Sequence, residues 1–195
     1  MTDDELRRGL ARDVDGAFEG LVRAYQDRLY LFALRFTGCP PDAEEVVQDA
    51  FVRAYRALTA YPREQRATLE IKAWLFQIVL NVARNRARRR RPRTVPLDAP
   101  DGESHGYREP AADQREQPER RAEASERGRE LSALVVALPE RYRAPVILRH
   151  VNDLSYDEVA TLLGQPVGTV KSNVHRGIRL LRDKLAAHNV VPDRR

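Results

Sequence analysis

The chain has 195 residues, with 34 Lys and Arg against 29 Asp and Glu for a net charge of +5, and a single cysteine, Cys39. Its length admits one domain or two small ones, one cysteine excludes an internal disulfide and fits a reducing compartment, and no apolar run is long enough to span a bilayer. From Ile71 to Arg93 there is no acid while Arg84, Arg86 and Arg88 to Arg91 crowd the end, and from Asp98 to Glu130 ten acids accompany six bases, the asymmetry of a nucleic-acid surface beside a solvated acidic tether.

The opening MTDDELRRGL lacks an apolar signal core, and the most apolar stretch, Ala73 to Ala83, is interrupted by Gln77 and Asn81. A cytoplasmic protein with no membrane partner is expected. His105, His150, His175 and His188 show no ligand spacing, so neither a metal nor another cofactor is expected.

Phe18, Leu21, Val22, Tyr25, Leu29, Phe32, Ala33 and Phe36 recur at three- and four-residue steps, which predicts a helix over 14–37 that stops at Gly38. After Pro40 and Pro41, the acids Asp42, Glu44 and Glu45 suit the positive end of a helix dipole. That helix runs to about Leu58, burying Val47, Ala50, Phe51, Ala54 and Leu58. Residues 61–68 read as a polar loop containing Pro62, and a third helix follows over 69–90.

Two sides of this third helix are apolar, through Ile71, Trp74, Leu75, Ile78 and Val82 and through Ala73, Phe76 and Leu80. Gln77, Asn81, Arg84 and Arg88, at i, i+4, i+7 and i+11, form a polar seam between them. Amides can pair with base edges while arginines anchor phosphates; a solvated edge of a bundle helix would look the same. Trp74 belongs to the core register. Tyr61, in the loop before the seam, suits either an unstacked base or packing on the bundle.

Pro92, Pro96, Pro100, Pro110 and Pro118 among acids and amides mark an unfolded linker with little to bury, about 100 Å long if extended. Helices resume near Ala124, where Leu131, Leu134 and Leu138 form a stripe. Pro139 opens another helix to about Val151, with Pro145 either in its first turn or at a kink.

The last segment is the most specific. Ser155 and Glu158 have capping-box spacing, so a helix starts near Tyr156, and Gly164 can end it in a left-handed conformation. Pro166 suits the first turn of the next helix, whose Val167, Val170, Val174, Ile178, Leu181 and Leu185 lie on one stripe. Thr169, Ser172, Arg176 and Arg179 lie opposite, flanked by Lys171 and His175. A helix held by its neighbour and carrying such a face fits a major groove; an αα-hairpin with a solvated basic face is the alternative. The expected architecture is all-α: two small helical domains, 1–92 and 125–195, joined by a flexible acidic linker over 93–124, with a helix-turn-helix in the second.

In this order, DAEEVVQDAFVRAY (42–55), IKAWLFQIVLNVARNRARRR (71–90) and LPERYRAPVILRHVNDLSYDEVATLLGQPVGTVKSNVHRGIRLLRDKL (138–185) resemble an extracytoplasmic-function (group IV) sigma factor. The resemblance implies a factor, not an enzyme, that binds core RNA polymerase and directs initiation at promoter DNA. It sets the exposed side of helix 42–58, with Glu45, Gln48, Asp49, Val52 and Arg53, against a coiled coil of the polymerase's large clamp subunit. It assigns capture of the melted minus-ten element to Asn81, Arg84, Asn85 and Arg88 and the loop around Tyr61, beside Gln77 of the seam. The minus-thirty-five duplex falls to Thr169, Lys171, Ser172, His175, Arg176 and Arg179. An anti-sigma factor is a further partner that the resemblance allows. Family members often carry an acid in the segment matching 85–88, where this chain has NRAR.

The C-terminal segment also resembles the DNA-binding domain of self-sufficient regulators, which carry an α/β receiver or ligand domain; residues 1–92 lack alternating apolar strands. A nuclease would need clustered carboxylates with metal-ligand geometry. Asp42, Glu44 and Glu45, the close acidic cluster beside apolar structure, look instead like a dipole-complementing first turn.

Overall fold

The computed structural model describes residues 2–90, 128 and 131–189, and among them the regular structure is entirely helical. The chain divides into two compact units. The predicted linker over 93–124 lies outside the described residues.

The first unit opens with a helix the sequence reading did not anticipate, α1 (Asp3–Arg12). Its start is a capping box: Thr2 Oγ1 accepts from the Glu5 amide at 3.3 Å, and Glu5 Oε2 accepts from the Thr2 amide at 2.7 Å. Leu6 and Leu10 of α1 are fully buried, a contribution of roughly 1.5–3 kcal/mol each. The long helix α2 (Val14–Thr37) ends, as its pattern predicts, at Gly38, with φ of 74° and its amide donating to Leu34 O at 2.8 Å.

Helix α3 (Pro40–Ala60) begins at the first proline, where a missing N–H costs nothing. Ala43, Val46, Ala50, Ala54 and Leu58 form its buried face, and Phe51 is only half-buried. Residues 63–67 are not a loop: α4 (Arg63–Ala67) buries none of its side chains and is fastened by its ends. Thr68 Oγ1 donates back to Glu64 O, and Arg66 reaches into the bundle. Helix α5 (Ile71–Arg90) packs between α2 and α3, with Phe76 edge-on to Phe32 at 5.2 Å between ring centroids.

Among the described residues of the second unit, 128 and 131–136 are helical, and the expected resumption of helices near Ala124 lies outside the described residues. Of the predicted stripe Leu138 is buried, Leu134 half-buried and Leu131 exposed, while Val135 takes the buried place. Arg143 ties the following turn, donating through Nε and Nη2 to Leu138 O at 3.1 and 2.9 Å. Helix α6 (Glu140–His150) runs through Pro145, which lies beyond the first turn and is itself buried. Helix α7 (Tyr156–Leu163) has the predicted Ser155–Glu158 capping box and ends at Gly164, φ 63°. Helix α8 (Val167–Asn189) starts one residue after Pro166, whose carbonyl accepts the first helical bond, from Val170. Pro166 is therefore the cap of α8 rather than part of its first turn.

Candidate nucleic-acid interface

Helices α7 and α8 form the helix-turn-helix. In α8, Val170, Val174, Gly177 and Leu181 are buried at steps of four, three and four, so the opposite side is left to solvent. Thr169, Lys171, Ser172, His175, Arg176 and Arg179 are all exposed there. Lys171 Nζ lies 5.7 Å from the Tyr156 ring centroid, and Arg149 lies over the same ring at 5.2 Å. One aromatic side chain of α7 thus gathers two cations beside the exposed face.

On α5 the predicted seam is present. Gln77, Asn81, Asn85 and Arg88 are exposed and Arg84 is half-buried, while Phe76, Val79, Leu80, Val82 and Ala83 are buried beside them. Tyr61 is half-buried with its ring 6.3 Å from that of Trp74. Of the two readings of Tyr61, packing on the bundle is what the free chain adopts, at the edge of the seam helix. Trp74 is half-buried rather than wholly in the core.

The outward side of α3 carries Glu45, Gln48, Asp49, Val52 and Arg53, all exposed. Val52 is 50% exposed and Tyr55, one turn on, 38%. Tyr55 packs edge-on against Phe18 at 5.1 Å and donates to Asp15 Oδ1 at 2.7 Å. An apolar spot ringed by polar groups suits a protein partner better than a phosphate backbone.

One residue joins the α3 and α5 surfaces. Arg86, on α5, donates through Nε to Asp42 Oδ1 at 3.2 Å and through Nη1 to Glu45 Oε2. The two carboxylates, Glu45 foremost, raise the guanidinium's pKa and keep it charged. Asp42 does more than complement a dipole: it is buried, at 7% exposure, and accepts an arginine from another helix. A groove of about 280 Å³ lined by Asp49, Arg53, Val82, Asn85, Arg86 and Arg89 runs between α3 and α5. Among the described residues no cluster of His, Cys, Asp and Glu could hold a metal ion.

Residues 21–93 match Sigma-70 region 2, and residues 128–181 match Sigma-70, region 4. The chain is 31% identical over 172 residues to the ECF RNA polymerase sigma factor SigW of Bacillus subtilis, covering 87% of this chain and 89% of that protein. It belongs to the ECF RNA polymerase sigma factors. A sigma factor of this family directs promoter-specific initiation with RNA polymerase, and is an initiation factor rather than a catalyst. Region 2 occupies the part of the chain where a self-sufficient regulator would carry its receiver or ligand domain, so that alternative is not favoured. Identity to the ECF RNA polymerase sigma factor SigE of Mycolicibacterium smegmatis is 37% over 176 residues, 89% of this sigma factor but 63% of that longer protein. Among solved structures, CnrH in complex with the cytosolic domain of CnrY is similar, with a TM-score of 0.65 and 26% identity over 95% of this chain and 97% of CnrH.

The region 2 match contains α3, α4 and α5, and the region 4 match covers α6, α7 and α8 up to residue 181. Sequence reasoning missed the Arg86 junction, because in a run of arginines no residue stands out. The signal was available: at 100° per residue Arg86 lies about 200° from Arg84, on the far side of the helix from the seam.

Proposed function

We propose that this sigma factor engages core RNA polymerase through the exposed side of α3 and reads promoter DNA at two places. Glu45, Gln48, Asp49, Val52 and Arg53 would meet the coiled coil of the large clamp subunit. Gln77, Asn81, Arg84, Asn85 and Arg88, with the turn at Tyr61, would take the unpaired minus-ten strand: amides toward base edges, arginines toward phosphates. Thr169, Lys171, Ser172, His175, Arg176 and Arg179 would enter the major groove of the minus-thirty-five duplex, where Arg bonds guanine edges. The working parts are then 1–92 and 125–195, with 93–124 connecting them, the plan of the group IV subclass. Such a factor acts in the cytoplasm beside its polymerase, and no described helix is long and apolar enough to cross a membrane. The relative CnrH is solved with the cytosolic domain of CnrY, which supports a protein partner here too, and an anti-sigma factor is the partner proposed.

The carrying observation is the register of α8, whose buried stripe leaves all six candidate side chains on one exposed face. The test is transcription by core RNA polymerase supplied with this chain. Ser172→Ala and Arg176→Ala should each weaken use of a promoter that depends on the upstream duplex element, by about 1–3 kcal/mol for a base-reading arginine, with polymerase binding unchanged. Transcription from that promoter at the parent's level by both variants would refute the assignment of the face. Salt must be held fixed, because phosphate contacts make affinity fall steeply with it.

A further inference from the structure

Arg66 closes two helix ends at once. Its Nη1 donates to Leu58 O at 3.1 Å and its Nη2 to Ala11 O at 3.4 Å. Leu58 lies in the last turn of α3 and Ala11 in the last turn of α1, where carbonyls lack a partner further along the helix. The residue that would serve Leu58 is Pro62, which has no N–H to give. A guanidinium also suits the negative ends of both helix dipoles. Nε of Arg66 is buried and has no hydrogen-bond partner among the described residues, so the head group is held inside this junction rather than lying over it.

The turn at Tyr61 and Pro62 is therefore fastened on both sides. Upstream it leaves α3 just past Leu58; downstream it enters α4, whose Arg66 returns to that same carbonyl. No residue of α4 is fully buried, so the bonds of Arg66 to the ends of α3 and α1 are the polar clasp of this turn, and they lie beside the seam of α5, where Tyr61 meets Trp74. We propose that Arg66 is a positioning residue for promoter opening: it holds the Tyr61 turn in the geometry that receives an unpaired base, without touching DNA itself. This rests on the reading of that turn as part of the minus-ten site.

The experiment uses the full chain with core RNA polymerase, carrying Arg66→Gln, Arg66→Lys or Tyr61→Ala. Opening is followed by permanganate reactivity on a duplex promoter and on the same promoter with a pre-melted bubble, alongside competition for polymerase. Arg66→Gln should open the duplex about tenfold more slowly, the scale of one lost charge-assisted hydrogen bond, and stay within about twofold of the parent on the bubble and in polymerase binding. Arg66→Lys keeps the charge but reaches one carbonyl at a time, and should fall between. Trp74 is the chain's one tryptophan, so its emission should shift in Arg66→Gln as the Tyr61 ring moves. If Arg66→Gln does not fold, Arg66→Lys decides by the same comparison. Parental opening by the Arg66 variants while Tyr61→Ala is slow would overturn the proposal, as would an equal loss on duplex and bubble, the mark of fold support alone. Normal opening by Tyr61→Ala would refute the reading of the turn, and the role of Arg66 with it.

Discussion

Replacing Gly177 by alanine puts one methyl group where α8 crosses α6. The added Cβ would stand 2.6 Å from Val146 Cγ2 and 3.3 Å from Tyr142 Cβ, whereas carbon atoms settle at about 3.5–4.0 Å. Val146 is buried and in mid-helix, where a β-branched side chain has essentially one χ1 rotamer, so it cannot swing aside and α8 must move away. Overpacking of this kind costs about 1–3 kcal/mol, and the better helix propensity of alanine returns up to about 1 kcal/mol. The net loss of about 1–2 kcal/mol should lower the melting temperature of this small unit by roughly 5–10 °C. Far-UV circular dichroism, with hydrogen exchange of the α8 amides, reads the effect. Gly168→Ala is the control, because an added Cβ there meets nothing within 4 Å and melting should not fall. Val146→Ala in the Gly177→Ala background should recover part of the loss, a coupling of about 0.5 kcal/mol or more. Melting of Gly177→Ala at or above the parent's temperature would refute the close approach of α6 and α8.

The seam of α5 should act in opening promoter DNA rather than in finding it: Asn81→Ala with Arg84→Ala should fail on a closed promoter and recover substantially on a pre-melted bubble. A collapsed melting temperature in that variant would mark the pair as structural instead. In the first unit, Tyr25 donates to Asp3 Oδ1 at 2.6 Å, and burial, then the bond and charge of Asp3, raise its phenol pKa. Folding therefore favours the protonated phenol. The stability it contributes is full below the ordinary tyrosine value of about 10 and is lost as pH rises through the raised one. Tyr25→Phe should cost about 1 kcal/mol near neutral pH and flatten the alkaline limb of the stability curve, as measured by urea unfolding from pH 7 to 11; an unchanged limb would count against the bond.

Elements whose signals are local were legible in the sequence. Gly38 and Gly164 stop helices where an αL residue is needed, and the Ser155–Glu158 box starts one. The exposed faces of α5 and α8 followed from the apolar periods opposite them. The elements α1 and α4 were not legible for opposite reasons. The Thr2–Glu5 box that starts α1 is as clear as that of Ser155, but Leu6, Leu10 and Ala11 are all that the helix buries, too short an apolar pattern to stand out. Helix α4 has no apolar face at all, and the bond that holds it comes partly from Ala11, fifty-five residues away. The outward side of α3 reads, from its residues alone, as a solvated acidic face; only the resemblance to sigma factors gave it a partner. Gly177 looks like a blemish in a good helix until Val146 is seen above it.

The Arg86 junction limits how this molecule can be rebuilt. On the proposed reading of the seam, a change of promoter preference would be sought by moving 71–90 from one sigma factor into another, as though it were a cartridge. Here that helix also carries the guanidinium that serves Asp42 and Glu45 across the α3 boundary. A donor helix without arginine at position 86 would strip a carboxylate, 10% exposed in its side chain, of that counter-charge, and a mostly desolvated carboxylate that loses a counter-charge is destabilising. Chimeras should therefore exchange 42–45 together with 71–90, so that the incoming helix arrives with carboxylates matched to its own charge.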